Sequence, residues 1–422
     1  MTVDLTTTGD SATTGDSATT VDLATTADSA STAEPGWSVY IHFPYCLHRC
    51  AYCDFATAVA RDIPREAYRD AILAELAIRS QGLVQAPIRT VFFGGGTPSL
   101  WGPEHIGAVL GWLDAWGGIA ADAELSMEAN PGALETGNLQ DYAAVGINRV
   151  SVGVQALEDR RLKLLDRLHD AGTARKTLAE LGNLVAQGTL KSANADLIFG
   201  GPGQTLDDLR KDVAGVLNHG LPHLSAYSLT VEQGTPLFER VARGLQPPPD
   251  EGLQAEMLDA LPDLVAPYGL QRYEVSNFAR PGHACRHNLA YWTGKFYLSA
   301  GVGAHGFLPT TEPGLHGWRY GNARGHKAWL DALQMGQLAE DMRESIDAIS
   351  HRTERLLTEL RLAQGLDLQA FRRDFGAMAT DRLVREVRLA IRQGQPLVLT
   401  EERVRVPAEA VRRLDGIILA LA

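Results

Sequence analysis

The run Tyr40–Phe55 constrains this chain more than any other stretch. It places Cys46, Cys50 and Cys53 within eight residues, and they are three of the four cysteines in the protein. A CxxxCxxC loop is long enough to fold back and too short to form an element of its own, so it brings three thiolates toward one point. Iron–sulfur clusters are held by cysteine thiolates, usually four of them. Three ligands would leave one iron of a 4Fe–4S cluster without a protein ligand and open to a small molecule. The preceding residues read as a short strand, with Val39, Ile41 and Phe43 alternating with Ser38, Tyr40 and His42, and Pro44 ends it. A zinc site with His42 or His48 as the fourth ligand also fits the loop, and Cys50 with Cys53 alone would make a redox pair. A disulfide framework does not fit so few cysteines in a chain without a secretory signal pattern.

The cysteine usage fits a reducing cytoplasm. Formal charge is −12 over 422 residues, which disfavours nonspecific nucleic-acid binding. Half of that charge lies in residues 1–36, a low-complexity stretch with the acids Asp4, Asp10, Asp16, Asp22, Asp28 and Glu34 and no Lys or Arg. With almost no large apolar residues it is expected to be a disordered tail. No apolar run reaches the length of a membrane-spanning helix.

From Trp37 onward strand and helix patterns alternate. Strands are expected near 37–43, 89–93, 124–129, 148–154, 193–199, 223–231 and 270–275. Tyr68, Ile72, Leu73 and Leu76 share a face of a helix over 65–80. Val150, Val152 and Val154 alternate on a strand, and Leu157, Leu164, Leu165 and Leu168 are expected on the helix after it. Six or seven such units predict an open, partial TIM-like β/α barrel over 37–280, with a doubly wound sheet as the alternative. In such a barrel the active-site face lies at the strand C-termini. There lie Gly94-Gly95-Gly96-Thr97-Pro98 after one strand and Glu128-Ala129-Asn130-Pro131-Gly132 at the end of the next. Gln155 and Asp196 end or occupy later strands. Consecutive glycines let a backbone approach a ligand closely. A buried carboxylate such as Asp196 needs a partner. Arg167, taken alone, reads as a solvated helix residue paired with Asp166 or Asp170.

The motif string YIHFPYC, CAYCDF, FFGGGTPS, EANPG, GINRVSVGVQ, LIFGGPGQT and LTVEQGTPL resembles the radical S-adenosylmethionine (SAM) superfamily, and within it the HemN/HemW group. The resemblance runs from Trp37 to the end of the chain. It implies that Cys46, Cys50 and Cys53 hold a 4Fe–4S cluster whose open iron is chelated by SAM. It implies further that Tyr40, Gly95, Gly96, Thr97 and Glu128 contact SAM, with Gln155, Arg167 and Asp196 at the remaining SAM-contacting positions and Tyr52 beside the cluster. One branch of the group is oxygen-independent coproporphyrinogen III dehydrogenase, a radical oxidative decarboxylase of propionates. Its cluster motif continues as CxxxCxxCxC, whereas this chain reads Cys53-Asp54-Phe55. The stretch Arg286–Trp292 instead matches the HNxxYW signature of the HemW branch. That branch implies a cytoplasmic heme chaperone that binds heme and delivers it to client hemoproteins, respiratory enzymes at the membrane being a candidate class. His287 lies among Tyr291, Trp292, Phe296 and Tyr297 and is one candidate axial ligand, with Cys285 and His305 as the others. The dehydrogenase is the alternative function, and monomer and dimer both fit the sequence.

Residues 281–344 read as a connecting region that carries HNxxYW. From 345 to 422 the pattern becomes helix, helix, hairpin, expected to be a winged-helix-like α+β domain. One helix carries Leu356, Leu357, Leu360 and Leu362 and ends at Gly365; the next carries Leu383, Val384, Val387 and Ile391 and ends at Gly394. Thirteen Arg against eleven acids from Ser345 onward give little support for DNA binding.

Overall fold

The computed structural model describes residues 36–421, so the expected disordered tail lies, apart from Gly36, outside the described residues. Six strands follow in order: β1 (Trp37–Phe43), β2 (Ile88–Gly95), β3 (Ile119–Ala129), β4 (Arg149–Gln155), β5 (Ser192–Phe199) and β6 (His223–Ser228). Each pairs in parallel with the next. Four of the helices between them are α1 (Arg65–Arg79), α2 (Pro103–Gly117), α3 (Ala171–Ala186) and α4 (Leu206–Leu217), and after β6 come α5 (Glu251–Val265) and α6 (Arg286–Trp292). The period-2 and period-3.6 patterns explain the layering. Val150, Val152 and Val154 of β4 are fully buried on the helix side, as are Tyr68, Ile72 and Leu76 of α1. Side-chain caps fix two helix starts: Asp170 accepts from Thr173 N–H, and Thr205 and Asp208 form a capping box.

The strand expected over 270–275 does not continue the parallel order. It shrinks to β7 (Gln271–Arg272), which pairs antiparallel with β8 (Asn277–Ala279), itself antiparallel to β6. The cause is a polar turn between them, where Glu274 accepts from Ser276 N–H at 3.1 Å and from the Asn277 amide. The seventh parallel strand comes later. β9 (Tyr297–Ala300) adds beside β1, and β10 (His305–Pro309), β11 (Leu315–Asn322) and β12 (Glu340–Asp347) extend from it antiparallel. The result is one twelve-stranded sheet, an open, partial β/α barrel ordered β12-β11-β10-β9-β1-β2-β3-β4-β5-β6-β8-β7. The four strands between 297 and 347 are therefore part of the barrel sheet. A buried polar hub ties this extension to α1. Arg79 donates to Glu75 at 2.7 Å, to Glu340 at 2.8 Å and to Asn322 at 2.5 Å, and Trp329 donates to Glu75 at 3.0 Å.

The helix expected to carry Leu157 through Leu168 is only Asp159–Leu164, and Leu168 stands 59% exposed. At the C-terminus, α7 (Ala348–Glu359) stops short of Leu362, and α8 (Leu368–Arg392) begins earlier than its apolar stripe and breaks at Gly376. Strands Leu366–Asp367, Val398–Leu399 and Arg403–Arg405 form the wing. Leu356, Phe371, Leu383, Val387 and Val404 pack a separate core there. Among the described residues no helix is long and apolar enough to cross a membrane.

Candidate functional site

The cysteine loop leaves the end of β1 and is pinned there. A short parallel pairing sets Tyr45–Cys46 against Ala58–Val59, closing the loop at its base. Across it, the glycine loop after β2 is laced to the same strand end: Gly96 N–H donates to Phe43 O at 2.7 Å and Thr97 N–H to Tyr45 O at 2.9 Å. The approach leaves no room for side chains. A Cβ on Gly96 would stand 2.7 Å from Pro44 backbone, and one on Gly95 would stand 2.4 Å from the His42 ring at a φ of +114°.

The three thiols are near enough to act on one another. Burial pushes the Cys46 thiol up to about 12, with the Cys53 and Cys50 charges adding to it, and burial likewise raises Cys53. Donors are already aimed at the sulfurs: Arg167 Nη1 lies 3.2 Å from Cys50 Sγ and Thr97 Oγ1 3.7 Å from Cys46 Sγ. Among the described residues no three His, Cys, Asp or Glu side chains are gathered as ligands of a single ion.

Arg167 is not the solvated helix residue that its local sequence suggests. It follows Asp166, whose φ is +61°, and turns inward. Its guanidinium donates to Asn130 Oδ1 at 2.5 Å, Gly153 O at 2.9 Å and the Tyr52 hydroxyl at 3.4 Å. Its Nε is buried without a hydrogen-bond partner. Glu128 accepts from Gly95 N–H at 3.0 Å. Burial, then the neighbouring Asp196, pushes Glu128 up to about 7, and burial raises Asp196 as well. Asp196 accepts from Asn194 at 2.7 Å and Ser151 at 3.1 Å. Gln155 ends β4 at a φ of +65°, a backbone that side-chain-bearing residues rarely adopt. Tyr40 stacks on Phe92 and its hydroxyl lies 3.0 Å from His42 Nδ1.

These residues border two cavities. The larger, about 600 Å³, runs down the barrel lumen and is lined by Cys53, Glu128, Gln155, Asp196 and, deeper, Arg149 and Cys285. The second, about 480 Å³, lies toward β10 and α7 and is lined by Lys295, Tyr297, His305, Phe307, Arg324 and His351. Tyr40, Phe55, Glu128 and Tyr291 border both. The HNxxYW helix, α6 (Arg286–Trp292), is anchored by Glu124, which accepts from His287 N–H at 3.0 Å, Arg286 N–H at 3.1 Å and Cys285 Sγ at 3.4 Å. Both nitrogens of His287 are engaged, Nδ1 with Thr90 Oγ1 at 2.8 Å and Nε2 with the Tyr291 hydroxyl at 2.8 Å. Burial lowers its pKa to about 3.

Sequence reasoning passed over Arg149, Ser151, Asn194, His223 and Ser225 on the lumen face. Their signal was the complement of one it did use: where Val150, Val152 and Val154 point to the helices, Arg149, Ser151 and Gln155 must point inward. It also passed over Asn130, which lies inside the quoted EANPG and donates to Thr97 at 3.0 Å while accepting from Arg167.

An open β/α barrel whose strand ends gather three thiols beside a glycine-laced loop is the architecture of a radical SAM domain. The Radical SAM superfamily pattern matches residues 40–214, and the HemN C-terminal domain pattern matches 346–412. The fold is similar to that of coproporphyrinogen III oxidase (HemN) from Escherichia coli, with a TM-score of 0.76 at 20% identity, over 92% of this chain and 90% of that one. Heme chaperone HemW of Mycobacterium tuberculosis is 37% identical over 89% of this chain and 94% of its own length. Heme chaperone HemW of Escherichia coli is 38% identical over 64% of this chain and 70% of its own. The chain belongs to the HemW family of the radical SAM superfamily. Membership in the superfamily implies SAM and a 4Fe–4S cluster.

Proposed function

We propose that this protein is a cytoplasmic heme chaperone of the HemW type, holding heme beside a SAM-ligated 4Fe–4S cluster and passing it to client hemoproteins. The observation that carries the reading is the second cavity. It adjoins the cysteine loop and offers flat aromatic walls (Tyr291, Tyr297, Phe307) together with Lys295 and Arg324. A planar dianionic macrocycle needs that pairing of surfaces. Relatives named as heme chaperones along nearly the whole chain support it.

Cys46, Cys50 and Cys53 would hold the cluster, which supplies one-electron chemistry and an open iron for SAM when bound. The residues around it fit that role. Desolvation makes the Cys46 and Cys53 thiols favour the protonated form unless a cation compensates them, and Arg167 and Thr97 already direct donors at two of the loop's sulfurs. Gly95 borders the second cavity, Gly96 lets its loop close against the strand end that precedes the cysteines, Glu128 and Asp196 offer carboxylates to an ammonium or to ribose hydroxyls, and Gln155 lines the same lumen as those two. Tyr40 forms part of the wall between the two cavities, and Tyr52 packs beside Arg167.

The HNxxYW helix contributes to the heme cavity through Tyr291, while Cys285 and His287 face Glu124 and Thr90. The test is a titration of anaerobically reconstituted protein with heme. A saturable Soret band at one heme per chain, weakened by a combined Lys295→Ala and Arg324→Ala change, is expected. Absence of a saturable band would overturn the proposal.

A further inference from the structure

We propose that His351, on α7 of the C-terminal domain, supplies the iron ligand for heme seated in the second cavity. The inference rests on the heme-chaperone reading and assigns a residue that neither the HNxxYW signature nor the cysteine loop contains.

His287 has both ring nitrogens engaged, by Thr90 and Tyr291. His42 is in the same position, with Nδ1 at 3.0 Å from the Tyr40 hydroxyl and Nε2 at 3.0 Å from Ala56 O. Cys285 is buried against Glu124 and lines the lumen, not the second cavity. His305 borders the second cavity but stands exposed on β10.

His351 differs from all of these. It lines the second cavity, it is 3% exposed, and its Nε2 is buried without a hydrogen-bond partner. A buried polar atom left unsatisfied is rare enough to require a reason, and an absent ligand is one such reason. Nε2 lies close to Gly294, another lining residue: a Cβ there would stand 3.6 Å from it. The ring plane is also fixed before any ligand arrives. His316 of β11 stacks on it with centroids 3.5 Å apart and planes 12° apart, and Phe375 of α8 lies 5.1 Å away. A ring held in one orientation loses little freedom on ligation.

The cavity suits the rest of the macrocycle. Phe307 and Tyr297 supply aromatic surface. Arg319 is taken by Glu354 at 2.6 Å and Arg355 by Asp374 at 2.6 Å. Lys295 and Arg324 form no ion pair among the described residues, so they are the cations available to two propionates. Because His351 belongs to the C-terminal domain and Lys295 and Arg324 to the barrel sheet region, heme would bridge the two.

The experiment compares wild type, His351→Ala, His287→Ala and His305→Ala as full chains, by heme titration and by electron paramagnetic resonance of the ferric complex. The expected result is a Soret shift and at least tenfold weaker binding in His351→Ala, recovery of the wild-type spectrum on adding imidazole, and an unchanged ligand signature in the other two. Imidazole recovery separates a lost ligand from a misfolded domain, and far-ultraviolet circular dichroism checks folding directly. A folded His351→Ala protein with wild-type spectrum and affinity would overturn the assignment and leave heme binding standing. Wild-type protein that binds no heme would overturn the functional reading itself.

Discussion

Replacing Glu128 with Gln should make the cluster-free protein more stable at alkaline pH. The side chain accepts from Gly95 N–H at 3.0 Å and faces the lumen near Asp196. Burial first, and Asp196 second, raise its pKa from the ordinary 4.5 to about 7 against the pull of that N–H. A raised carboxyl pKa favours folding while the group is protonated; the benefit is complete below about 4.5 and is lost as pH rises through about 7. At ~1.4 kcal/mol per tenfold change in proton affinity, the ionised group would disfavour folding by at most about 3 kcal/mol at pH 8. Glu128 is half-buried, so water screens part of this, and a gain of about 1–2 kcal/mol for Glu128→Gln is expected. The assay is urea unfolding of cluster-free protein at pH 8 and pH 5, read by tryptophan fluorescence. The gain should be present at pH 8 and fall to roughly a quarter of that at pH 5. An equal gain at both pH values, or a loss at pH 8, would refute the reasoning. The same variant should bind SAM more weakly, since a group kept where it destabilises the empty site is suited to a cationic ligand.

Two further outcomes follow from named contacts. Cys53→Ala leaves two loop thiols, and iron bound per chain after anaerobic reconstitution should fall to a small fraction of wild type, with loss of the brown thiolate-to-iron absorption. Glu75→Ala strips the buried Arg79 of its 2.7 Å partner and Trp329 of its acceptor, and should lower unfolding stability by about 3–5 kcal/mol, measured by denaturant titration.

The barrel was legible because its signals are local. Alternating valines on β4 and the apolar stripe of α1 each report one face of one element. The loop cysteines and the glycine run were legible because tight spacing leaves few conformations. The region after 280 was not, because β9 joins β1 in parallel across more than two hundred residues of sequence, and no local pattern encodes such a pairing. Arg167 shows the same limit at the scale of a side chain. Its neighbours Asp166 and Asp170 suggested surface ion pairs, yet the positive φ at Asp166 swings it inward to Cys50 and Asn130. His351 gave no sequence signal, since its significance depends on the cavity that β10, β11 and α7 enclose.

The most direct test of the account is coproporphyrinogen III turnover by anaerobically reconstituted protein with SAM and a strong reductant, followed as carbon dioxide released from propionates. The account predicts none above a protein-free control, because Phe55 stands where the dehydrogenase motif has its further cysteine and the second cavity is read as a heme seat. Stoichiometric release coupled to SAM cleavage would contradict it and make this chain a decarboxylase.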